Sequence, residues 1–573
     1  MRANRWRWTV GAAALLLGSC IDVPPRAPVA VQHRVAQGWD AAQREWFYHT
    51  PQGTQLMARD FFLNLERPEL FAKGKLSDPE YLARFGFLVD DSPDNTDRLP
   101  VGFAVDDAFD DLTTAKRKKS TVVGFTCAAC HTGEIHYKGT SLRIDGGPSM
   151  INLQQFRQAI FVSVMMTKWI PGRLSRFASA VRKAGGDAQS EPEIRARFAN
   201  FRDRLTNAKK EADQFQNVDE GFARLDALTR IGNFVFGTDL GIKQNLRAIT
   251  APVNFPHIWS AHWFDWVQYN ASIEQPMARN VGEALGVRAQ VDLTGTEDRF
   301  LSTVRVGELA ALEKLIAGDA PFTGLQAPKW PVDVLGPLDP TKLVKGRMLY
   351  MELCAECHLA PLGSQEFADR HDDYWTTPPG SDVAYLHLTT KSVADMGTDP
   401  AAAHNFASRT AQTGPLGAGE VSAADGLRTI TEGVANRWYD DQKISTAKRM
   451  DMNGNRENQV RGLEIYKARP LDGIWATAPY LHNGSVPNLD ELLGPPEKRS
   501  KTFYLGSREF DPERVGFETG KIDGGFLFDT QLTGNHNTGH EFRGDGTLRA
   551  PGVLGRALGD DESKALIEFL KSL

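Results

Sequence analysis

Cysteine is scarce in this chain: five in 573 residues, at positions 20, 127, 130, 354 and 357. A disulfide-stapled scaffold is therefore not expected. Long apolar runs are missing as well. The run from Val10 to Leu17 is too short for a bilayer, which needs about 20 apolar residues. Positive charge is not in excess either. The net charge is −6, which argues against nucleic acid as a partner. What remains is an ordinary soluble composition, 41% apolar and 24% charged, in a chain long enough for two or three domains.

The few cysteines are placed in a pattern. Thr126-Cys127-Ala128-Ala129-Cys130-His131 contains Cys-x-x-Cys-His, the attachment site of a c-type haem. Cys354-Ala355-Glu356-Cys357-His358 is a second copy. Two cysteines three apart lie about one helical turn from each other, so both thiols reach one haem edge. The histidine that follows is held under the iron as proximal ligand. A zinc ribbon would bring two such motifs within roughly 15–20 residues of each other. A thioredoxin-type motif needs no following histidine and would not come twice. The expected cofactors are two covalent haem c groups, on Cys127, Cys130 and His131 and on Cys354, Cys357 and His358.

The fifth cysteine bears on the compartment. Arg2, Arg5 and Arg7 precede the Val10–Leu17 run, and the first 19 residues hold no acid. Leu17-Gly18-Ser19-Cys20 then resembles a bacterial lipoprotein signal; the alternative is an ordinary signal peptide with a chance cysteine. With four cysteines on haem and one on lipid, no stray thiol is left for an oxidising space. Residues 20–39 read as a Pro-rich tether. The expected location is the periplasmic side of a bacterial membrane, held by acyl chains. The outer membrane is favoured because Asp does not directly follow Cys20.

Along the chain, residues 40–120 mix short helical patterns with acidic loops. The basic run 115–119 reads as a solvated surface, with attraction of haem propionates or an acidic redox partner as the alternative. Residues 132–148 predict a short hairpin under the first haem, with His136 in a loop. Residues 151–245 are helical by periodicity and look like an insertion covering that haem. The segment 255–270 packs six aromatics with His257 and His262, either as core or as a wall of the first haem pocket. Prolines at 328, 331, 337 and 340 mark a boundary. Asp339 is a helix N-cap with Pro340 at the first position. Gly346 and Tyr350 precede Cys354 at the spacing of the first cytochrome c helix, which predicts a close crossing by the last helix, 561–573.

The fold expected from these elements is mainly α: two cytochrome c-like haem domains with long loops, a helical insertion and few short strands. The expected divisions are 1–19 signal, 20–39 tether, 40–334 N-terminal haem domain and 335–573 C-terminal haem domain. The irons need not be equal. Met396 stands where a small cytochrome keeps a Met ligand. His482, between an aromatic and Asn-Gly, is the stronger candidate, with a hydrogen-bonded structural histidine as the alternative.

Ala478-Pro479-Tyr480-Leu481-His482-Asn483-Gly484, together with the two Cys-x-x-Cys-His sites, resembles the bacterial di-haem cytochrome c peroxidase superfamily. Lys467 to Trp475, Phe264 to Tyr269 and Gly534-Asn535-His536-Asn537-Thr538-Gly539-His540-Glu541-Phe542 are more similar to its rubber-oxygenase-like branch. The resemblance implies that His358 and His482 ligate the second iron, which relays electrons. It implies that His131 alone holds the first, open iron, which reduces hydrogen peroxide. The donor would be a small redox protein or a quinol-linked cytochrome. Acid/base work near the open face falls to His262, Gln268, Glu274 or Arg279. Trp475 would lie between the haems or in the core. Two other readings stand beside this one: O₂-dependent cleavage of a C=C bond, and pure electron transfer with both irons six-coordinate, His257, His262 or a Met closing the first. The GNHNTGH segment is either a Ca²⁺ site or an ordered loop. Residues 151–245 are longer than in a minimal bacterial peroxidase, so substrate identity is not carried over.

Overall fold

A computed structural model describes residues 31–69, 74–113, 117, 119–185, 190–379, 381–547 and 549–573. The leader, Cys20 and most of the tether lie outside the described residues, as do positions 115, 116 and 118 of the basic run.

The second attachment motif follows the helix Pro340–Leu353. Asp339 begins it by accepting the N–H groups of Thr341 (2.9 Å) and Lys342 (3.2 Å), which satisfies two donors of the first turn. The last helix, Asp560–Ser572, crosses at Gly346. A Cβ at 346 would collide with the Ala565 carbonyl and with Cβ of Phe569, so glycine permits this approach. Tyr350 packs on Phe569 with ring centroids 5.4 Å apart.

The first motif is carried by strands. Phe103–Asp110 and Lys119–Phe125 pair antiparallel, with a register shift between Asp106 and Phe109. The turn Cys127–Cys130 comes directly after. Gly102, at φ +88°, lets this turn press close, since a Cβ there would overlap Ala129. Downstream, Thr132–Tyr137 and Thr140–Asp145 form an antiparallel hairpin, with Thr132 opposite Asp145. Residues 151–245 hold the helices Leu153–Trp169, Arg173–Lys183, Glu191–Phe215 and Ala227–Gly232.

The expectation of few strands needs correction. The described residues contain nine small sheets of two or three strands. Most of their strands span only two to four residues, too short for alternation to show in sequence. Within residues 40–120, read as short helical patterns and acidic loops, lies the strand Phe103–Asp110, whose scattered acidic residues obscure its alternating pattern.

The cores cross the boundary near residue 334. One buried cluster joins Val35, Trp39 and Tyr48 to Tyr350, Trp475, Leu566 and Phe569. Another joins Val281 and Leu309 to Leu386, Ile430 and Tyr439. Burying each large apolar side chain stabilises by about 1.5–3 kcal/mol, so sharing these clusters ties the two halves together.

Candidate functional site

At the first motif the Cys127 and Cys130 thiols are free. Burial pushes both up, Cys127 to about 12, so they rest as neutral thiols. His131 donates from Nδ1 to the Pro256 carbonyl at 2.7 Å. Burial lowers its pKa to about 4. A neutral ring whose Nδ1–H is committed to a carbonyl presents Nε2 as a metal ligand. The aromatic segment 255–270 therefore stands directly beside this histidine, with Trp259 fully buried.

The second motif repeats the arrangement. Cys354 and Cys357 are free. His358 donates from Nδ1 to the carbonyl of Arg469, again at 2.7 Å. Its ring faces that of His540, with centroids 6.2 Å apart and planes at 58°. A metal–nitrogen bond of about 2 Å on each side, plus about 1 Å from nitrogen to ring centre, gives roughly 6 Å for two imidazoles sharing one ion. Nδ1 of His540 is buried without a partner. Burial, with His358 and Arg499 nearby, lowers the His540 pKa to about 3. Arg499 fixes the loop by donating to the carbonyls of Asn537 (2.6 Å), Gly539 (2.8 Å) and His540 (2.9 Å).

The imidazole ring beside His358 is that of His540, whereas His482, expected as its partner on the second iron, packs on Tyr466. The His482 ring lies flat on Tyr466, centroids 4.2 Å apart at 27°. Its turn clamps the other loop instead. Asn483 donates to the carbonyls of Gly534 (3.2 Å) and His536 (3.0 Å), and Ser485 donates to His536 (3.0 Å). Met396 supports the same loop, its carbonyl occupying the space where a Cβ at 539 would stand. In the GNHNTGH segment the carbonyls of Gly534, His536, Asn537 and Gly539 are taken by Asn483, Ser485 and Arg499, and His536 Nδ1 pairs with Asp399 at 2.8 Å. This is an ordered loop whose carbonyls are held by protein donors, the alternative to the expected Ca²⁺ site.

Three of the four expected acid/base residues converge. Glu313, on the helix Val306–Ala317, binds His262 Nδ1 at 2.8 Å, Arg279 through its guanidinium and Asn280 Nδ2 at 3.0 Å. Burial would raise the Glu313 carboxyl, but Arg279 and these hydrogen bonds outweigh it and hold the pKa well below the usual range. Gln268 donates to Glu283 at 3.3 Å. Burial raises Glu283 above the ordinary carboxylate value, with Arg279 opposing. Glu283 and Arg279 both lie within electrostatic reach of Cys127. Glu274 is linked to this cluster only through Arg456, which is within electrostatic reach of Glu313 and Arg279 as well: its backbone N–H bonds Gln459 (3.2 Å), and its carboxyl faces Arg456, Asp265, Glu457 and Arg461. Glu283 and Glu313 were not singled out in sequence, since each resembles an ordinary helix-surface acid.

Trp475 is a core residue, fully buried against Trp330 and bonded to the Pro328 carbonyl at 2.9 Å. His136 is held by Glu134 at 2.9 Å. At each motif, free paired thiols, a carbonyl-fixed imidazole and, at the second, an orphaned facing imidazole fit a covalently bound haem c.

Residues 465–504 match the RoxA-like, cytochrome c-like family. That stretch holds Tyr466, Arg469 and His482, so it is the backing of the second motif. Two proteins of Sinorhizobium fredii (strain NBRC 101917 / NGR234) are similar to the whole or part of the chain. "Uncharacterized protein y4iJ" is 43% identical over 577 residues, covering 96% of this chain and 95% of its own. "Uncharacterized protein y4iM" is 25% identical over 338 residues, covering 56% of this chain and 64% of its own.

Proposed function

The chain belongs to the same family as y4iJ of Sinorhizobium fredii, and from that premise we propose that it is an exported di-haem c-type cytochrome oxidoreductase of peroxidase type. The cytochrome c-like segment supports a haem oxidoreductase, and the finer reading rests on an asymmetry of imidazoles. The His540 ring lies 6.2 Å from that of His358 with its Nδ1 unpartnered, whereas His257, the imidazole within electrostatic reach of His131, stacks on Trp259 with its buried Nε2 unpartnered. His358 and His540 would hold the second haem, which would supply electron relay from an external donor, and His131 would hold the first, which would supply peroxide reduction.

In this reading Cys127, Cys130, Cys354 and Cys357 anchor the two groups. His358 and His540 would hold the C-terminal haem, and His131 the N-terminal one. Reducing one peroxide to two waters consumes two electrons and two protons. Glu283, kept toward its neutral acid by burial and oriented by Gln268, is the proposed proton donor. The Glu313 cluster fixes His262 and Arg279 beside it. The donor is a small redox protein or a quinol-linked cytochrome, and a net charge of −6 offers nothing to nucleic acid. A lipid on Cys20 would hold the protein at the periplasmic side of a membrane, the outer one favoured. Cys20→Ala should then move the protein from the membrane fraction to the soluble one; continued sedimentation with membranes would refute the anchor.

The RoxA-like match favours a second reading, O₂-dependent cleavage of a C=C bond in an apolar substrate. The ion cluster around Glu313 speaks for the peroxide chemistry, because oxygenation of a hydrocarbon needs a dry pocket. The test is anaerobic mixing of half-reduced protein with hydrogen peroxide and a chemical donor. Oxidation of two donor electrons per peroxide is expected. Inertness to peroxide with a stable O₂-bound absorption band would select the oxygenase instead.

A further inference from the structure

The two proximal histidines are joined through the protein by one side chain. His131 Nδ1 donates to the Pro256 carbonyl at 2.7 Å. The next residue, His257, offers its own carbonyl to Nη2 of Arg469, also at 2.7 Å. The carbonyl of Arg469 accepts Nδ1–H of His358 at 2.7 Å. Two successive carbonyls, those of Pro256 and His257, and a single arginine thus connect one imidazole to the other through three short hydrogen bonds.

The two segments are held in register by further contacts. The His257 ring stacks on fully buried Trp259, centroids 4.3 Å apart at 21°. Trp259 Nε1 donates to the Asp472 carbonyl at 2.9 Å, and Ser260 Oγ to the Asp472 carboxylate at 3.1 Å. Segment 256–260 is therefore tied to segment 469–472 at both ends. Arg469 itself has no carboxylate hydrogen-bonded to it, and its Nε is buried without a partner. A buried guanidinium left this way costs stability unless it serves something else.

We propose that Arg469 is the positioning residue for electron transfer between the two haems, closing a hydrogen-bonded path from His358 to His131. The inference rests on the di-haem reading above. In the step, one electron supplied by an external one-electron donor leaves the ferrous iron on His358, which becomes ferric. It arrives at the ferric iron on His131, which becomes ferrous. No proton crosses, because each Nδ1–H stays on its imidazole, bonded to its carbonyl. A planar guanidinium fixes the direction of its donors, and an ammonium or thioether does not, so lysine and methionine break the path in different ways.

The test uses full-length holoprotein carrying both haems, as wild type, Arg469→Met, Arg469→Lys and Lys467→Gln. An electron is injected by pulse radiolysis, its passage between haems is followed by absorbance, and each midpoint potential is measured separately. Arg469→Met and Arg469→Lys should slow the transfer tenfold or more while each potential moves by less than about 59 mV, the tenfold equivalent for one electron. Lys467→Gln removes a buried amine within electrostatic reach of Arg469 that lies off the path, and should change the rate less than twofold. Rates within twofold of wild type in both Arg469 variants would overturn the proposal. So would a slowing accounted for by the change in driving force. If Arg469→Met fails to take up both haems, Arg469→Lys, which keeps the charge, decides. Wild-type protein that binds one haem would instead refute the di-haem reading, an outcome visible in haem content before any rate is measured.

Discussion

The rings of His358 and His540 face one another at 6.2 Å, although 181 residues separate them in the chain, and His482 lies off this axis against Tyr466. The two histidines should therefore respond differently to removal. His540→Ala should turn the second haem from low to high spin in absorption and paramagnetic resonance spectra. His482→Ala should leave it low spin, since it removes only a stacking contact and burial. The reverse pattern would restore His482 as the ligand.

The helix crossing at Gly346 gives a stability prediction. Gly346→Val places a side chain where the Ala565 carbonyl and Phe569 already stand. Overpacking of this kind costs about 1–3 kcal/mol. A lower Tm is expected, with the haem spectrum unchanged at room temperature; an unaltered Tm would argue that the last helix is not held there.

Glu134 predicts an acid limit. Its carboxylate takes Arg143 at 2.8 Å, His136 at 2.9 Å and Arg508 at 3.3 Å, tying the hairpin after the first motif to the C-terminal half. Burial raises its pKa, but these partners outweigh it and hold the carboxyl far below the ordinary value. A depressed pKa contributes stability above the unfolded value, about 4.3, and that contribution fades as pH falls further. Denaturant titrations should show stability dropping below that pH. Glu134→Gln should flatten the drop and cost about 3–5 kcal/mol at neutral pH by leaving two buried arginines unpaired. An unchanged acid limb in the variant would place the dependence on other groups.

Glu283→Gln keeps the shape of the side chain and removes its proton. Loss of a general acid reduces turnover by about 10²–10⁴. Peroxide reduction should fall within that range while both haem spectra and the rate of electron passage between haems stay as in wild type. Full activity would move the acid to His262 or to solvent.

The legible parts of this protein are local. Cys-x-x-Cys-His states its chemistry in five residues, Asp339-Pro340 states a helix start, and the turn residues after Tyr137 state a hairpin. Gly346 was legible because an absent side chain at that spacing leaves room for a second backbone. The imidazole beside His358 was not legible in the same way. Both His482 and His540 sit in polar, Gly-containing loops, and which ring turns toward His358 is decided by distant groups: Arg499 on the carbonyls of 537, 539 and 540 and Asn483 on those of 534 and 536. Glu313 was hidden for a similar reason. One acid in an amphipathic helix reads as surface charge until three partners from residues 262–280 fold onto it. The many two-residue strands arise from loops meeting in space, a long-range outcome that no short window of sequence contains.

The most direct test is the spin and ligation state of each iron in the purified protein, fully oxidised and after one added electron, with carbon monoxide as probe. The account predicts one low-spin iron capped by two imidazoles and indifferent to carbon monoxide, beside a second that binds it once reduced. Two low-spin irons, both unresponsive in every oxidation state, would contradict the enzymatic reading and leave an electron carrier.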